Sequence, residues 1–360
     1  MKAIDSLLSR NGEKLNPKKI IFLTIGEAGY SRSWTYFNGA KKLGANVEFK
    51  KIDSKKLIKQ FWQMKQQFSK DSIFVVMSPS QYLVPFVRFF LGKNIVLDAG
   101  WSLFEGTVLS RKRYGIFGSI AIKNYLIDFM SSHLARKIIL ESNLQKSFYS
   151  KLFLVKLKKC SVLYTGFDEQ SFQLDTTYET PPDIFNNSKI VLFRGKYNPE
   201  AGIEVLAEAT KILSEDKITF WVFCPGLPIN IDFSKNSFIS REILPRGKIS
   251  KLQKSSTIIL GQLAKHNRLN RTIPHKAFEA AFLAIPYLTA GNKGVTELFT
   301  EGFEIECFSP GNSIALVDKI RNLIIDHDKL NEMSALIYEK YQNICNQKIL
   351  SQNFLKIVLA

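Results

Sequence analysis

The sequence predicts an α/β protein built from two parallel-sheet domains in tandem. Three observations lead there. Short β-branched apolar runs alternate with helix-period segments, the alternation occurs twice, and a polar stretch carrying Pro181-Pro182 separates the two series. A chain of 360 residues also exceeds what one hydrophobic core usually serves.

The first series opens with KIIFLTI at residues 19–25 and continues with SIFVVM (72–77), NIVLD (94–98), KIIL (137–140) and SVLY (161–164). Each is short, apolar and bounded by polar residues, the pattern of strands covered on both faces. SWTYFNGAKKLG and SIAIKNYLIDFMSSHLA carry helical periodicity between them. After the first strand runs TIGEAGYSRS, residues 24–33, whose Gly26 and Gly29 sit at a strand's C-terminal end, where parallel sheets place ligands. Glycine there also serves a sharp turn, and neither GxGxxG nor GxxxxGK[ST] occurs in the chain. In SKKLIKQFWQMKQQFSK, residues 54–70, Leu57, Ile58, Phe61, Trp62, Lys65 and Phe68 fall near one helical face with lysines around it. Such a stripe ordinarily covers a sheet; ringed by lysine, it also suits an anionic membrane.

QLDTTYETPPDIFNN, residues 173–187, reads as a linker. The second series follows at once: KIVLFR, the helix EAGIEVLAEATKILS, ITFWVFC, NSFIS, TIILG, a helix around 275–284, PYLTA and IECF. From about Asn343 the tail places Ile349, Leu350, Phe354 and Val358 on helical spacing, with no strand after it. The expected organisation is a Rossmann-like domain over 1–175, a linker over 176–187 and a second Rossmann-like domain over 188–342. A C-terminal helix over 343–360 is expected to pack back toward the N-terminal domain.

Residues 271–297, RTIPHKAFEAAFLAIPYLTAGNKGVTE, are the most informative. They read as a loop, a helix carrying His275, Lys276 and Glu279, a buried strand, and a loop with Asn292 and Gly294 opening another helix. Helix N-termini and glycine turns offer unpaired N–H groups to anions, and a nearby acid can hold ribose hydroxyls. Lys276 and Glu279 also stand three apart, so a surface ion pair of about 0.2–0.5 kcal/mol is the plainer alternative.

Charge is unevenly placed. Up to residue 170 there are 28 Lys and Arg against 12 Asp and Glu; beyond it the numbers are 22 and 20. A basic first half suits an anionic partner surface or simply a lysine-rich solvated one, and no nucleic-acid recognition motif accompanies it, so nucleic acid is not expected. Cys160, Cys224, Cys307 and Cys345 are dispersed, which suggests neither a disulfide framework nor a zinc site and agrees with a reducing cytoplasm. The longest apolar runs, such as YLVPFVRFFLG, fall well short of the ~20 residues that span a bilayer, so a soluble or membrane-peripheral protein is expected.

Several segments carry a family resemblance. YTGFDEQSF (164–172) looks like the P-x-G-[VA]-D-x-x-x-F segment, KIVLFRGKYNPEAGIEVLAEA resembles the G-[RK]-x-x-x-x-K-G opening, and IPHKAFEAAFLAIPYLTAGNKGVTEL resembles P-x-K-x-x-E-A-x-A-x-G-x-P-V followed by G-x-x-E. LDAGWSLFEGTVLSRKRYG is similar to a subgroup with an Asp-containing strand end before a basic turn. In order and spacing these resemble the group 1 (family 4) glycosyltransferases of the GT-B fold, in which two tandem Rossmann-like domains face each other across a cleft.

The resemblance implies transfer of a sugar from a nucleoside-diphosphate sugar to a saccharide or lipid-linked saccharide, with retention, without metal or cofactor, in cell-surface polysaccharide synthesis. It implies a cytoplasmic protein, the basic half touching the membrane's inner face peripherally. The first domain would take the acceptor, with Gly26 and Gly29 in an acceptor-side loop, and the second the nucleotide sugar. Glu279 matches the second glutamate of E-x7-E and would bind ribose; Arg194 and Lys276 match basic residues that face the diphosphate. Asn292, Gly294 and Glu297 belong to the following loop, His275 stands beside the site, and Asp98 is the candidate base or acceptor-orienting group. Two departures stand out: Arg271 occupies the place of the first glutamate, and Ala201 that of the lysine before Gly202. On this reading Arg271 adds a phosphate contact and Lys196 replaces the lysine. The rival readings are a non-catalytic GT-B-like saccharide- or nucleotide-binding scaffold and a nucleotide-sugar epimerase. Asp326-His327-Asp328 reads as DxD, yet it ends a helix-period stretch and suits a helix-to-helix turn better than a metal.

Overall fold

A computed structural model describes residues 18–25, 31–172, 177–185 and 187–360. Gly26 and Gly29 lie outside the described residues. The chain forms two compact units, Met1–Asp168 with Gln347–Ala360, and Glu169–Asn346. Among the described residues no helix is long and apolar enough to cross a membrane.

The first unit has a parallel sheet of β1 (Ile20–Thr24), β2 (Val47–Lys51), β3 (Ile73–Met77), β4 (Ile95–Gly100), β5 (Lys137–Leu140) and β6 (Cys160–Val162), in the order β2-β1-β3-β4-β5-β6. β1, β3 and β4 are buried throughout because helices cover both faces. On one side lie the helices Leu57–Gln67, Leu83–Phe90 and Ser119–Leu134, whose Phe61, Met64, Val84, Val87 and Ala121 enter one core. The stripe expected over residues 54–70 is thus divided: Phe61 and Phe68 are buried, whereas Ile58 and Trp62 remain exposed. β2 has no counterpart among the strands expected from sequence. It is a half-exposed edge strand, VEFKK, whose charges leave no apolar run and discourage pairing with another chain.

The other face of this sheet is covered by the helix Ser31–Lys42 and by the last helix of the chain, Gln347–Leu359. The two approach so closely that a Cβ on Gly39 would meet the Ser351 hydroxyl. Phe354 stacks between Tyr36 and Phe22, each with ring centroids 5.3 Å away. Arg136 and Lys137 donate to the carbonyls of Val358 and Ile357, supplying cations where a helix C-terminus wants them.

Asp98, near the end of β4, is 1% exposed. Its carboxylate accepts from Arg32 Nε at 2.8 Å, and Arg32 also reaches the Leu163 carbonyl (3.1 Å) and the Thr165 hydroxyl (3.3 Å). Burial is the largest influence on Arg32 and opposes its charge, but Asp98 together with Tyr36 and Glu141 holds it above its ordinary pKa, while burial raises the Asp98 carboxyl despite Arg32. The pair joins the helix Ser31–Lys42 to the ends of two strands. Asp98, expected as base or acceptor-orienting group, is thus enclosed at the strand end, where its carboxylate anchors the helix to the sheet.

The second unit repeats the plan with β7 (Lys189–Arg194), β8 (Ile218–Phe223), β9 (Ser237–Ser240), β10 (Ile258–Leu260), β11 (Tyr287–Ala290) and β12 (Glu306–Phe308), in the order β12-β11-β10-β7-β8-β9. Renumbered from its own first strand this is 3-2-1-4-5-6 read from the other edge, so the strand order reverses between β7 and β10, and the crevice outside their C-terminal ends is the expected ligand position. The helices Ile203–Ile212, Arg246–Lys254, His275–Leu283, Ser313–Ile325 and His327–Lys340 cover this sheet, with the short Lys293–Thr296 at its rim. Asp326 caps the helix His327–Lys340, its carboxylate accepting from Lys329 N at 2.9 Å, as a helix-to-helix turn requires.

Arg32→Met should destabilise the protein by about 3–5 kcal/mol, because Asp98 would stay buried without its cation. Arg32→Met with Asp98→Leu should recover most of that loss. Urea unfolding followed by circular dichroism measures both; equal losses in the single and double variants would deny the pair its anchoring role.

Candidate functional site

At the reversal point of the second sheet, Arg194 ends β7 and Gly261 follows β10. Facing both is the helix His275–Leu283, begun by Pro274 in extended conformation and ended by Ala284 in the left-handed region. Its first turn carries His275 and Lys276, and the next carries Glu279.

Lys276 is buried. Its Nζ donates to the Gly261 carbonyl at 2.7 Å and lies 4.1 Å from the centroid of the Phe193 ring. Burial lowers its pKa to about 7, Arg194 adds to the push, and Glu279 resists it. Glu279 is buried as well, and three side chains hold it. Arg194 and Gln253 donate to one oxygen, Gln253 at 3.0 Å, and His275 Nδ1 stands 3.3 Å from the other. Burial alone would raise this carboxyl, but Arg194 and then His275 bring it down to about 2. The ion pair predicted as the plain alternative, Lys276 with Glu279, does not form. Glu279 pairs instead with Arg194, across the sheet edge.

The surrounding loops are fixed by close backbone approaches. Gly202 has φ +67°, and a Cβ there would stand 2.4 Å from Ala264 N, so the turn before Ile203–Ile212 presses on the segment after β10. A Cβ on Gly294 would meet the carbonyls of Leu269 and Thr272, each at 2.4 Å. Gly294 is therefore required by packing of the loop. Asn292 is buried, and its amide donates to the Ala290 carbonyl at 3.0 Å. A buried pair, Arg268 Nη1 to Glu200 at 2.9 Å, ties these loops together.

Lys196 is exposed, beside a cavity of about 110 Å³ that Arg194, Phe223, Pro225 and Leu244 also line. Arg271 and Glu297 are half-buried, Arg271 ending the turn Asn267–Asn270. The fold thus brings Arg194, Lys276, Glu279 and His275 into one cluster, and it places Asp98 in the other unit.

Sequence reasoning missed Phe193, Gln253, Gly261 and the Glu200–Arg268 brace. Phe193 and Gly261 sit at the ends of recognised strands, and their positions signalled them. Gln253 lies in the lysine-rich RGKISKLQK, which gives no hint that one face closes on Glu279. Chemically, the cluster sets two basic side chains against one carboxylate at a helix N-terminus. With Lys276 protonated it carries surplus positive charge, the condition for taking up an anion.

A family model described as "Glycosyl transferase-like" matches residues 204–346. None of the curated proteins matches the sequence. Among solved structures, HepE of Anabaena in complex with UDP-glucose is similar at TM-score 0.67 and 14% identity, covering 94% of this chain and 98% of its own. A glycosyltransferase of Rickettsia africae is similar at 0.67 and 16%, covering 96% and 98%, and sucrose-phosphate synthase of Thermosynechococcus elongatus at 0.68 and 11%, covering 94% and 97%. At such identities these structures speak for the fold, and the family match for the chemistry of the second unit. Both agree with the resemblance to group 1 glycosyltransferases: the solved structures give the chain a two-domain, Rossmann-like GT-B fold, and the family match places a glycosyl transferase-like domain in its second unit.

Proposed function

We propose that the chain transfers a sugar from a uridine diphosphate sugar to a saccharide or lipid-linked saccharide, with retention and without a metal, in cell-surface polysaccharide synthesis at the inner face of the membrane. The observation that carries the donor half is the cluster of Arg194, Lys276 and Glu279 at the reversal point between β7 and β10. HepE, with the same fold, is described in complex with UDP-glucose, which makes UDP the nucleotide to test first.

In this reading the diphosphate lies against Arg194, Lys276 and the first-turn amides of His275–Leu283. Lys196, Arg271, Asn292, Gly294 and Glu297 line the approach. The Glu279 oxygen facing His275 is less committed than the one bound by Arg194 and Gln253, so it is the acceptor offered to ribose hydroxyls. The base occupies the cavity beside Phe223 and Pro225. As the anomeric C–O bond breaks, negative charge grows on the departing diphosphate, so cations fixed there stabilise the transition state more than the ground state. The departing phosphate oxygen takes the acceptor proton, which needs no separate base and agrees with the enclosure of Asp98.

Turnover of labelled UDP-sugars with candidate acceptors tests the reading directly. UDP-sugar at a hundred times its Kd should stabilise the protein by about 2.7 kcal/mol, read as a thermal shift. Glu279→Ala should lose most of that shift. Binding without turnover for any donor and acceptor would favour the non-catalytic scaffold, a rival that Arg271 in place of the first glutamate keeps in view.

Affinity for a UDP-sugar should also depend on pH. Lys276 sits near 7 in the free protein, and a diphosphate raises it by favouring the charged form. Affinity is therefore flat below about pH 7 and falls above it, by up to about tenfold per pH unit, until the bound-state pKa is reached. Calorimetry should show proton uptake near pH 7.5, and Lys276→Met should bind more weakly with no such slope. Identical slopes in both proteins would remove Lys276 from the diphosphate.

A further inference from the structure

The outer side of the first unit carries apolar side chains that its core does not use. Its three helices on that face lie side by side in the order Leu57–Gln67, Leu83–Phe90, Ser119–Leu134. On the third, Ile122, Leu126 and Met130 recur every four residues and are exposed, while Ala121 on the inner side is buried. A helix apolar on both sides is expected where both sides are covered, and only one is. Just before it, the loop 112–118 raises Ile116 and Phe117, the latter 93% exposed. Phe89 on the middle helix is 82% exposed, and Trp62 on the first is 57%.

Charge on this face is of one sign. Residues 54–136 contain 12 Lys and Arg and four carboxylates. Asp98, Glu105 and Asp128 are buried, which leaves Asp71 as the exposed one. Lys112 and Arg113 precede the loop tip, Lys123 lies between Ile122 and Leu126, and Arg88 adjoins Phe89; all four are exposed. Aromatic and aliphatic tips rimmed by cations match a bilayer surface, where apolar groups reach the acyl boundary and cations meet phosphates. A nucleic acid would take the cations but offers nothing to Ile116, Ile122 and Leu126.

We propose that this face docks the first unit on an anionic lipid bilayer, with Ile116 and Phe117 entering the headgroup–acyl boundary and Lys112, Arg113 and Lys123 on lipid phosphates. The inference rests on the peripheral glycosyl-transfer reading above and adds the surface that performs it. The loop belongs to the connection leaving β4, so it lies at the C-terminal edge of the sheet, the edge at which parallel sheets hold their ligands. A saccharide carried on a lipid would be presented there.

Flotation of the full chain with phosphatidylglycerol–phosphatidylcholine vesicles, and with phosphatidylcholine vesicles alone, tests this. Wild type should float with the first and largely not with the second, less so as salt rises. Ile116→Ser with Phe117→Ser, and separately Lys112→Gln with Arg113→Gln, should each weaken flotation by about tenfold. Urea midpoints and the UDP-sugar thermal shift of both variants should match wild type, which separates docking from misfolding. The proposal is overturned if wild type ignores the anionic vesicles, if both variants float like wild type, or if light scattering shows a dimer that either variant dissolves. Vesicle binding by a protein with no UDP-sugar affinity would support docking and count against the donor reading.

Discussion

Lys276 is a cation folded into a place with no carboxylate of its own. Its Nζ has one carbonyl, Gly261, and one aromatic face, Phe193, while the carboxylate on its helix belongs to Arg194. Two basic groups share a single acid in a volume from which water is largely removed. Such a surplus costs folding free energy, which the depressed pKa of about 7 expresses. An anion delivered to that point would relieve the cost. A helix N-terminus at a strand-order reversal supplies the same preference, so backbone dipoles and side-chain charges act in one direction.

The cluster depends on loops held at backbone contact. Gly202 and Gly294 are positions where one more carbon would collide with a neighbouring main chain, and both serve loops around the reversal point. The Glu200–Arg268 pair braces the same loops from within. A buried pair of this kind contributes little net stability but penalises every arrangement that separates it. Glycines in phosphate-type turns therefore serve the fold first, because they let the loops close until Arg194, Lys276 and Glu279 converge.

Most of the architecture could be read from the chain because parallel strands covered on both faces are apolar runs. β1, β3, β4, β7, β8 and β10 are such runs, and β2, an edge strand with Glu48, Lys50 and Lys51, escaped for the converse reason. That Arg194, His275, Lys276 and Glu279 lie near one another was legible, because Arg194 ends a strand and the other three share the first two turns of one helix. Their pairing was not, since helix spacing suggested Lys276 with Glu279 while the true partner is 85 residues away along the chain. The partner of Asp98 was hidden for a related reason. A strand-end aspartate looks available until Arg32, on a helix 66 residues earlier, is known to occupy it.

Burial also changes what the charge count means. Over residues 54–136 a simple tally sets four carboxylates against twelve cations, yet three of the four are enclosed and their fields are met inside the fold. Asp98 faces Arg32, and Asp128 accepts from the Phe104 amide, with burial pushing its pKa up to about 7. A carboxyl raised so far is partly protonated near neutrality and offsets even less of the surface charge. The exposed cations remain almost unopposed around Ile116, Phe117 and Phe89. Sorting acids inward and bases outward therefore gives this face a stronger positive field than composition implies, at the place where apolar side chains also lack cover.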